Sequence, residues 1–376
     1  MIEARFHDQL ADIDATEWNA LAADPNPFTT HALLAGMEAT GCIQPHWGWQ
    51  PHHLTLHENG RLVAAAPLYL KTNSHGEFTF DWSWADAWER AGGRYYPKLL
   101  CGVPYSPVAG PRLLACGDPR LQRALVQAMR NEAERLQLSS VHVPFLTDME
   151  AAAFDDDWLA RSDVQFQWRN RGWATFTEFL AALNHKKRKN LMHDRTGVAA
   201  SGLRIEWRAG ADLPAQDWRE VHALYLHTFQ QNGNRATLTP EFFAYLGTLG
   251  DTAQLALARD GHGIAAMALF LVGGTVLYGR YWGCRVEVPG LHFELCYYQG
   301  INYAVTHGLQ RFEPGAQGEH KLARGFLPTR THSRHLILHT GFRSAVRAAL
   351  RQEAAAVDRY AEECMARSPY AQEPPP

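Results

Sequence analysis

Three short clusters within residues 275–324 carry residue types suited to proton transfer and anion binding. The first is Arg280-Tyr281-Trp282, at the end of a strand-like run. The second is His292 and Glu294, just after Pro289-Gly290. The third runs from Glu313 through Gln317, Glu319, His320 and Lys321 to Arg324. An imidazole and a carboxylate are the usual acid/base pair for moving a proton from an attacking amine. His292, Glu294 and Glu313 are therefore the candidate catalytic residues. Lys321 and Arg324 are suited to charge-assisted hydrogen bonds with phosphate or carboxylate. Arg280, Tyr281, Trp282, Tyr298, Gln317 and Glu319 complete the candidate substrate-binding set. Each has a plainer alternative. A Glu inside a helix N-terminus is stabilised by the dipole, which argues against a raised pKa. Glu313, before Pro314-Gly315, is also a turn residue, and 319–324 is also a solvated loop of mixed charge. An Arg on a central strand is costly unless it is paired or lines a cleft.

The surrounding pattern predicts how these residues are held. Residues 275–282 read as a strand, 291–304 as a helix and 309–313 as a strand. A crossover of that length makes a βαβ unit with parallel strands. Ligands of open α/β sheets lie beyond the carboxyl ends of such strands, where Arg280–Trp282 and Glu313 fall. Phe293, Tyr297, Ile301 and Val305 form one apolar stripe at helical spacing, with Glu294, Tyr298 and Asn302 on a neighbouring face. No Ser, Thr, Asp or Asn precedes the helix, so the backbone at Gly290 and Leu291 is expected to offer amides to an anion. The plainer alternative is that Gly290 is an adequate cap. A basic run at 185–189, including Lys187 and Arg188, is either a solvated face or a contact for tRNA or another anionic carrier.

The whole chain sets the bounds. Its 376 residues suffice for two domains. A formal charge of −3 gives no overall drive toward nucleic acid or anionic membrane. Six cysteines without paired spacing suggest reduced thiols in a cytosolic protein. The apolar run 264–278 is broken by Gly273-Gly274 and falls short of the roughly 20 residues of a membrane helix. The histidines at 46, 52, 53 and 57, and those at 332, 335 and 339, lack acid or cysteine partners at ligand spacing, so no metal is expected. The end, 368–376, is expected to be a disordered tail.

The chain also repeats itself. Ala11, Asp12, Ile13, Ala15, Glu17 and Trp18 match Ala211, Asp212, Leu213, Ala215, Asp217 and Trp218 in register. Leu54 to Gly60 matches Leu255 to Gly261, and the match continues through 64–70 and 265–271. This predicts an α/β (α+β) fold of two tandem copies: a first domain at 1–175, a basic connecting helix at 176–202 and a second domain at 203–367. A large insertion at 85–119 interrupts the first copy.

The repeated order of two helices, a hairpin, a strand, a crossover helix and a last strand resembles the GNAT N-acyltransferase fold. Two tandem copies resemble its FemAB-like branch. The segments 184–190 with 202–206, 278–283 and 318–326 resemble the basic helix and closing motifs of that branch, and 290–299 with 313–321 is similar more closely to the bacterial FemAB-like family labelled peptidoglycan biosynthesis or recognition. The resemblance implies an N-acyltransferase that moves an acyl or aminoacyl group from acyl-CoA or aminoacyl-tRNA to an amine. A cell-wall precursor is one candidate acceptor, and the active cleft is expected between the copies. The segment 285–290 stands where the superfamily has a glycine-rich pyrophosphate loop. It holds one glycine and an acid, which leaves Gly290, Leu291, Lys187 and Arg188 as the candidate carrier contacts. The first copy has no such loop and is expected to be non-catalytic. The alternative is a binding protein without turnover that uses the same cleft.

Overall fold

The computed structural model describes residues 2–23, 25–316 and 318–371. Its strands are β1 (Ile2–His7), β2 (Trp49–Pro51), β3 (His53–Glu58), β4 (Arg61–Ala66), β5 (Leu68–Lys71), β6 (Lys98–Cys101), β7 (Ser140–Leu146), β8 (Leu159–Arg169), β9 (Arg204–Ala209), β10 (Ala253–Asp260), β11 (Gly263–Gly273), β12 (Val276–Cys284), β13 (Arg311–Glu313) and β14 (Leu327–Ile337). The chain divides into two compact units, and neither is one continuous stretch. One is Met1–Val164 with Arg330–Arg359, and the other is Gln165–Thr329 with Tyr360–Pro376. The continuous blocks expected at 1–175 and 203–367 differ from this division. Alternation of apolar residues marks strands, but not which unit a late strand joins.

In the first unit, β1, β3 and β4 form an antiparallel sheet in the order β1-β3-β4. Asn59 and Gly60 both take positive φ in the β3–β4 turn, as such a hairpin requires. A second ladder runs β2-β5-β6-β7-β14, with β6 and β7 parallel. The helix Pro119–Arg135 makes the β6–β7 crossover. Asp118 caps it, accepting from the amides of Arg120 and Leu121, and Pro119 opens its first turn. Its Leu125, Met129 and Ala133 pack on Leu99, Val141 and Val143. The insertion is therefore structural in part, because it supplies β6.

In the second unit the order is β13-β12-β11-β10-β9, with the end of β8 beside β13. β12 and β13 are parallel, as expected, and the hairpins β10–β11 and β11–β12 are antiparallel. The crossover helix occupies 291–306. It is α-helical at Leu291–Phe293 and Gln299–Thr306 but widens to a π-turn over Glu294–Tyr298. Tyr297, Ile301 and Val305 of the expected stripe are buried and Phe293 is half-buried, while Leu291, Leu295 and Tyr298 join them in the core. The extra residue of the π-turn turns Glu294 and Tyr298 inward.

The expected tail is partly corrected. Tyr370 is buried, its hydroxyl donates to Gly325 O at 2.7 Å, and its backbone bridges Leu183. Trp173 stacks on its ring at 5.9 Å. A large aromatic with a satisfied hydroxyl outweighs the polar, proline-rich composition around it. Residues 372–376 lie outside the described residues.

Candidate active site

Parallel pairing of β12 with β13 covers only Val276–Tyr278 against Arg311–Glu313. Beyond it the strands part. Pro314 has no amide hydrogen with which to continue the ladder, and β12 carries a bulge: Leu269 pairs Tyr281 while Phe270 pairs Gly279, leaving Arg280 as the extra residue. The regular two-residue alternation of a strand is broken there. A cavity of about 440 Å³ opens in the gap, lined by β12, the first half of the crossover helix and the loop after β13.

Arg280, Tyr281, Trp282, His292, Cys296, Tyr297, His320 and Lys321 line it. His292 and Cys296 are four residues apart and share a helix face. The Tyr297 hydroxyl and His320 Nε2 lie 2.8 Å apart, and the His292 ring is edge-on to Trp282 at 5.2 Å. Lys321 is 3 % exposed, and its Nζ donates to Gly315 O at 2.8 Å and Ala316 O at 3.0 Å. No carboxylate is among the described lining residues.

The charges follow from that setting. Burial, with His320, Arg324 and Lys321 nearby, brings His292 down to about 4, so its ring is neutral near pH 7. Burial and the same cations lower His320. Burial also lowers Lys321 to about 8, with Arg280 adding to the effect. The Cys296 thiol is pushed up by burial and stays protonated.

A second polar group lies behind the helix. Arg195 Nε donates to Glu294 Oε2 at 3.1 Å, and Gln299 Nε2 donates to Glu294 Oε1 at 2.7 Å. The Tyr298 hydroxyl donates to Asp194 Oδ2 at 2.8 Å and accepts from Arg324 Nε at 3.1 Å. Arg324 also lies over the Phe293 ring at 3.3 Å. These contacts tie the basic helix His185–Ala200 to the π-turn. Asp194 and Arg195 were missed in the sequence because they sit 99 or more positions from their partners and look like ordinary surface charges.

The structure therefore gathers only part of the candidate set. Arg280, Tyr281, Trp282, His292 and Lys321 line one cavity. Glu294, Tyr298 and Arg324 belong to the group behind the helix. Glu313 is buried with Arg311 Nε 3.0 Å away, and Lys321 is held by carbonyls instead of by that carboxylate. Glu319 is exposed, bonded to Tyr360 and Arg367. Gln317 lies outside the described residues. Gly290, at φ +83°, packs against Asp194, and the Leu291 amide donates to Val288 O at 3.1 Å. Lys187 and Arg188 are half-buried, and Arg188 donates to Ala181 O at 3.4 Å. The Tyr297–His320 pair was not legible, because Tyr297 fits the apolar stripe.

A model of the FemAB-like family, described as peptidoglycan biosynthesis/recognition, matches residues 9–372. No curated protein matches the chain. Among solved structures, FemX superposes with a TM-score of 0.54 at 11% identity, over 92% of this chain and 100% of its own. L-PGS from Bacillus licheniformis gives 0.50 at 11% identity, over 84% of this chain and 94% of its own. The fold is the mixed α/β, GNAT-like one that the sequence implies. Among the described residues, no helix is long and apolar enough to cross a membrane.

Proposed function

Because this chain belongs to the FemAB-like family, we propose that it is an N-acyltransferase that moves an acyl or aminoacyl group from a carrier to an amine, with a cell-wall precursor as the acceptor class. The observation that carries this reading is the cavity where β12 and β13 part. It offers cations, two lowered imidazoles and a tyrosine–histidine hydrogen bond, with no carboxylate among its described lining residues. A carrier bearing phosphates, either acyl-CoA or aminoacyl-tRNA, suits Arg280 and Lys321. The exposed Lys186 and Lys189 of the basic helix suit the longer polyanion.

In the proposed reaction the acceptor amine attacks the acyl carbonyl directly. His320 takes the amine proton, and Tyr297 holds the ring and shares its proton. The Arg280 charge offsets the oxyanion as it develops. His292, neutral beside Trp282, orders the acyl end of the cavity. Glu294 is engaged by Arg195 and Gln299 and fixes the π-turn. Glu313, paired with Arg311, supports the end of β13.

The test is a transfer assay with the full chain, offering acetyl-CoA or aminoacyl-tRNA with peptidoglycan-precursor amines and detecting products by mass spectrometry. His320→Ala should cost about 10²–10⁴ in kcat/KM without loss of fold. Binding of a precursor with no product from either carrier would instead support a binding protein. No binding of either carrier or any amine would sink the proposal.

A further inference from the structure

Lys321 is one of six lysines in the chain, and its setting differs from that of a lysine placed only for its charge. It is buried, lines the cavity and has no carboxylate partner among the described residues. Its Nζ makes two hydrogen bonds, to Gly315 O and Ala316 O. A tetrahedral nitrogen with two N–H groups committed to carbonyls has one remaining vertex. In the ammonium form that vertex is a third N–H, and in the neutral amine it is the lone pair. A cation buried without a counter-charge favours the neutral form. The backbone carbonyls therefore orient the amine, and the vertex they leave is the one available to a cavity ligand.

We propose that Lys321 is itself an acyl acceptor, taking an acyl group from a thioester or an acyl phosphate that enters the cavity. In the step, Nζ attacks the carbonyl carbon, an N–C bond forms, and the C–S or C–O bond to the carrier breaks. The thiolate or phosphate leaves with the electron pair, and the proton lost from Nζ passes to it. Lysine amine plus acyl thioester thus gives acyl-lysine amide plus thiol, with no other reactant. Two consequences follow from the geometry. The amide nitrogen keeps a single N–H, so either Gly315 O or Ala316 O loses its donor and the loop after β13 loses one of its two ties. The cavity also loses a cation and fills with the acyl group, so acylation closes the site to an anionic carrier. This inference needs no amine substrate, and it goes beyond the transfer reaction above.

The experiment uses the full chain with acetyl phosphate and, separately, acetyl-CoA as probes, followed by peptide mass spectrometry. The wild-type protein contains its own controls. Lys186 and Lys189 are exposed. Lys71 is fully buried under the Trp49 ring at 3.7 Å and does not line this cavity, yet burial brings it down to about 7. Acetylation at Lys321 should run about tenfold or more faster than at Lys186 and Lys189 near pH 8, with Lys71 unlabelled, since reactivity needs both a neutral amine and access. Labelling by acetyl phosphate alone supports the proposal and places the failure in the acyl-CoA reading of the carrier. Labelling of Lys321 no faster than of the exposed lysines overturns the proposal. So does equal labelling of Lys71, because reactivity would then track amine basicity instead of the cavity.

Discussion

Lys98 shows what a single buried charge does in the first unit. Its Nζ donates to Glu77 Oε1 and Asp81 Oδ2, each at 2.5 Å, and to Ser74 Oγ at 2.7 Å, with all three charged side chains fully buried. Tyr95 donates to the same Asp81 oxygen, and His142 lies 3.6 Å from it. Removing one partner of such a group strands the others. Lys98→Met should destabilise the first unit by about 3–5 kcal/mol in urea unfolding, and a change below about 1 kcal/mol would contradict this account. The same cluster sets an acid sensitivity. Burial and Lys98 bring His142 down to about 3, and burial and His142 bring His335 well below its usual value. Both bind protons more readily when unfolded, so their stabilisation is complete above about pH 6.5 and is lost as pH falls. Glu77, raised by burial, works in the opposite direction. Two imidazoles against one carboxyl leave a net loss of stability as pH falls below about 6.5, so urea unfolding at pH 5 should show a less stable first unit than at pH 7. None of this cluster was legible in the sequence, since Lys98 sits in the Gly- and aromatic-rich insertion that reads as loop and Glu77 lies before it, 21 positions away.

At the scale of elements, the βαβ unit was legible because strand, helix and strand each keep a periodicity of their own. What escaped were local departures from regularity. Neither the bulge at Arg280 nor the π-turn at Glu294–Tyr298 has a composition signal, because each adds one residue to an otherwise ordinary pattern. The packing of β12 is a further case. A Cβ on Gly283 would lie 2.4 Å from Leu224 O, in the backbone of the helix Ala215–Gln231. That backbone atom cannot rotate away, so helix and strand must separate to admit a methyl group. Gly283→Ala should cost about 1–3 kcal/mol by overpacking, despite the entropy that alanine saves in the unfolded chain. A variant that melts at or above the wild-type temperature would show that the contact is looser than described.

For the whole molecule, the order of elements was visible in the repeat, but the assignment of the chain's last quarter was not. Leu336 and Ile337 of β14, with Val346 and Leu350 of the helix Thr340–Ala366, belong to the cores of the first unit. Cys364 and Tyr370 belong to the core of the second. Such assignments depend on distant partners, as Leu336 pairs with Val141 and Tyr370 bridges Leu183, which periodicity does not report. Truncation after Arg367 removes Tyr370, with its bond to Gly325 O and its contact with Trp173. It should destabilise the second unit by about 3–5 kcal/mol, as loss of a buried aromatic does. An unchanged thermal transition for the truncated chain would contradict that role.

The returning strand β14 also imposes a timetable on synthesis. β7 pairs with β6 on one side and, through Ser140–Leu146, with Ile337–His332 on the other. Between Val164 and Arg330 the ribosome must add the bulk of the second unit. At about 5–20 residues per second that takes roughly 10–30 s. For that interval β7, every residue of which is buried in the finished fold, is a strand with one unpaired edge, a template for pairing with another nascent chain. The first unit is thus begun first but completed only after most of the second has been made, and its yield in the cell is set by what shields β7 while the rest is being translated.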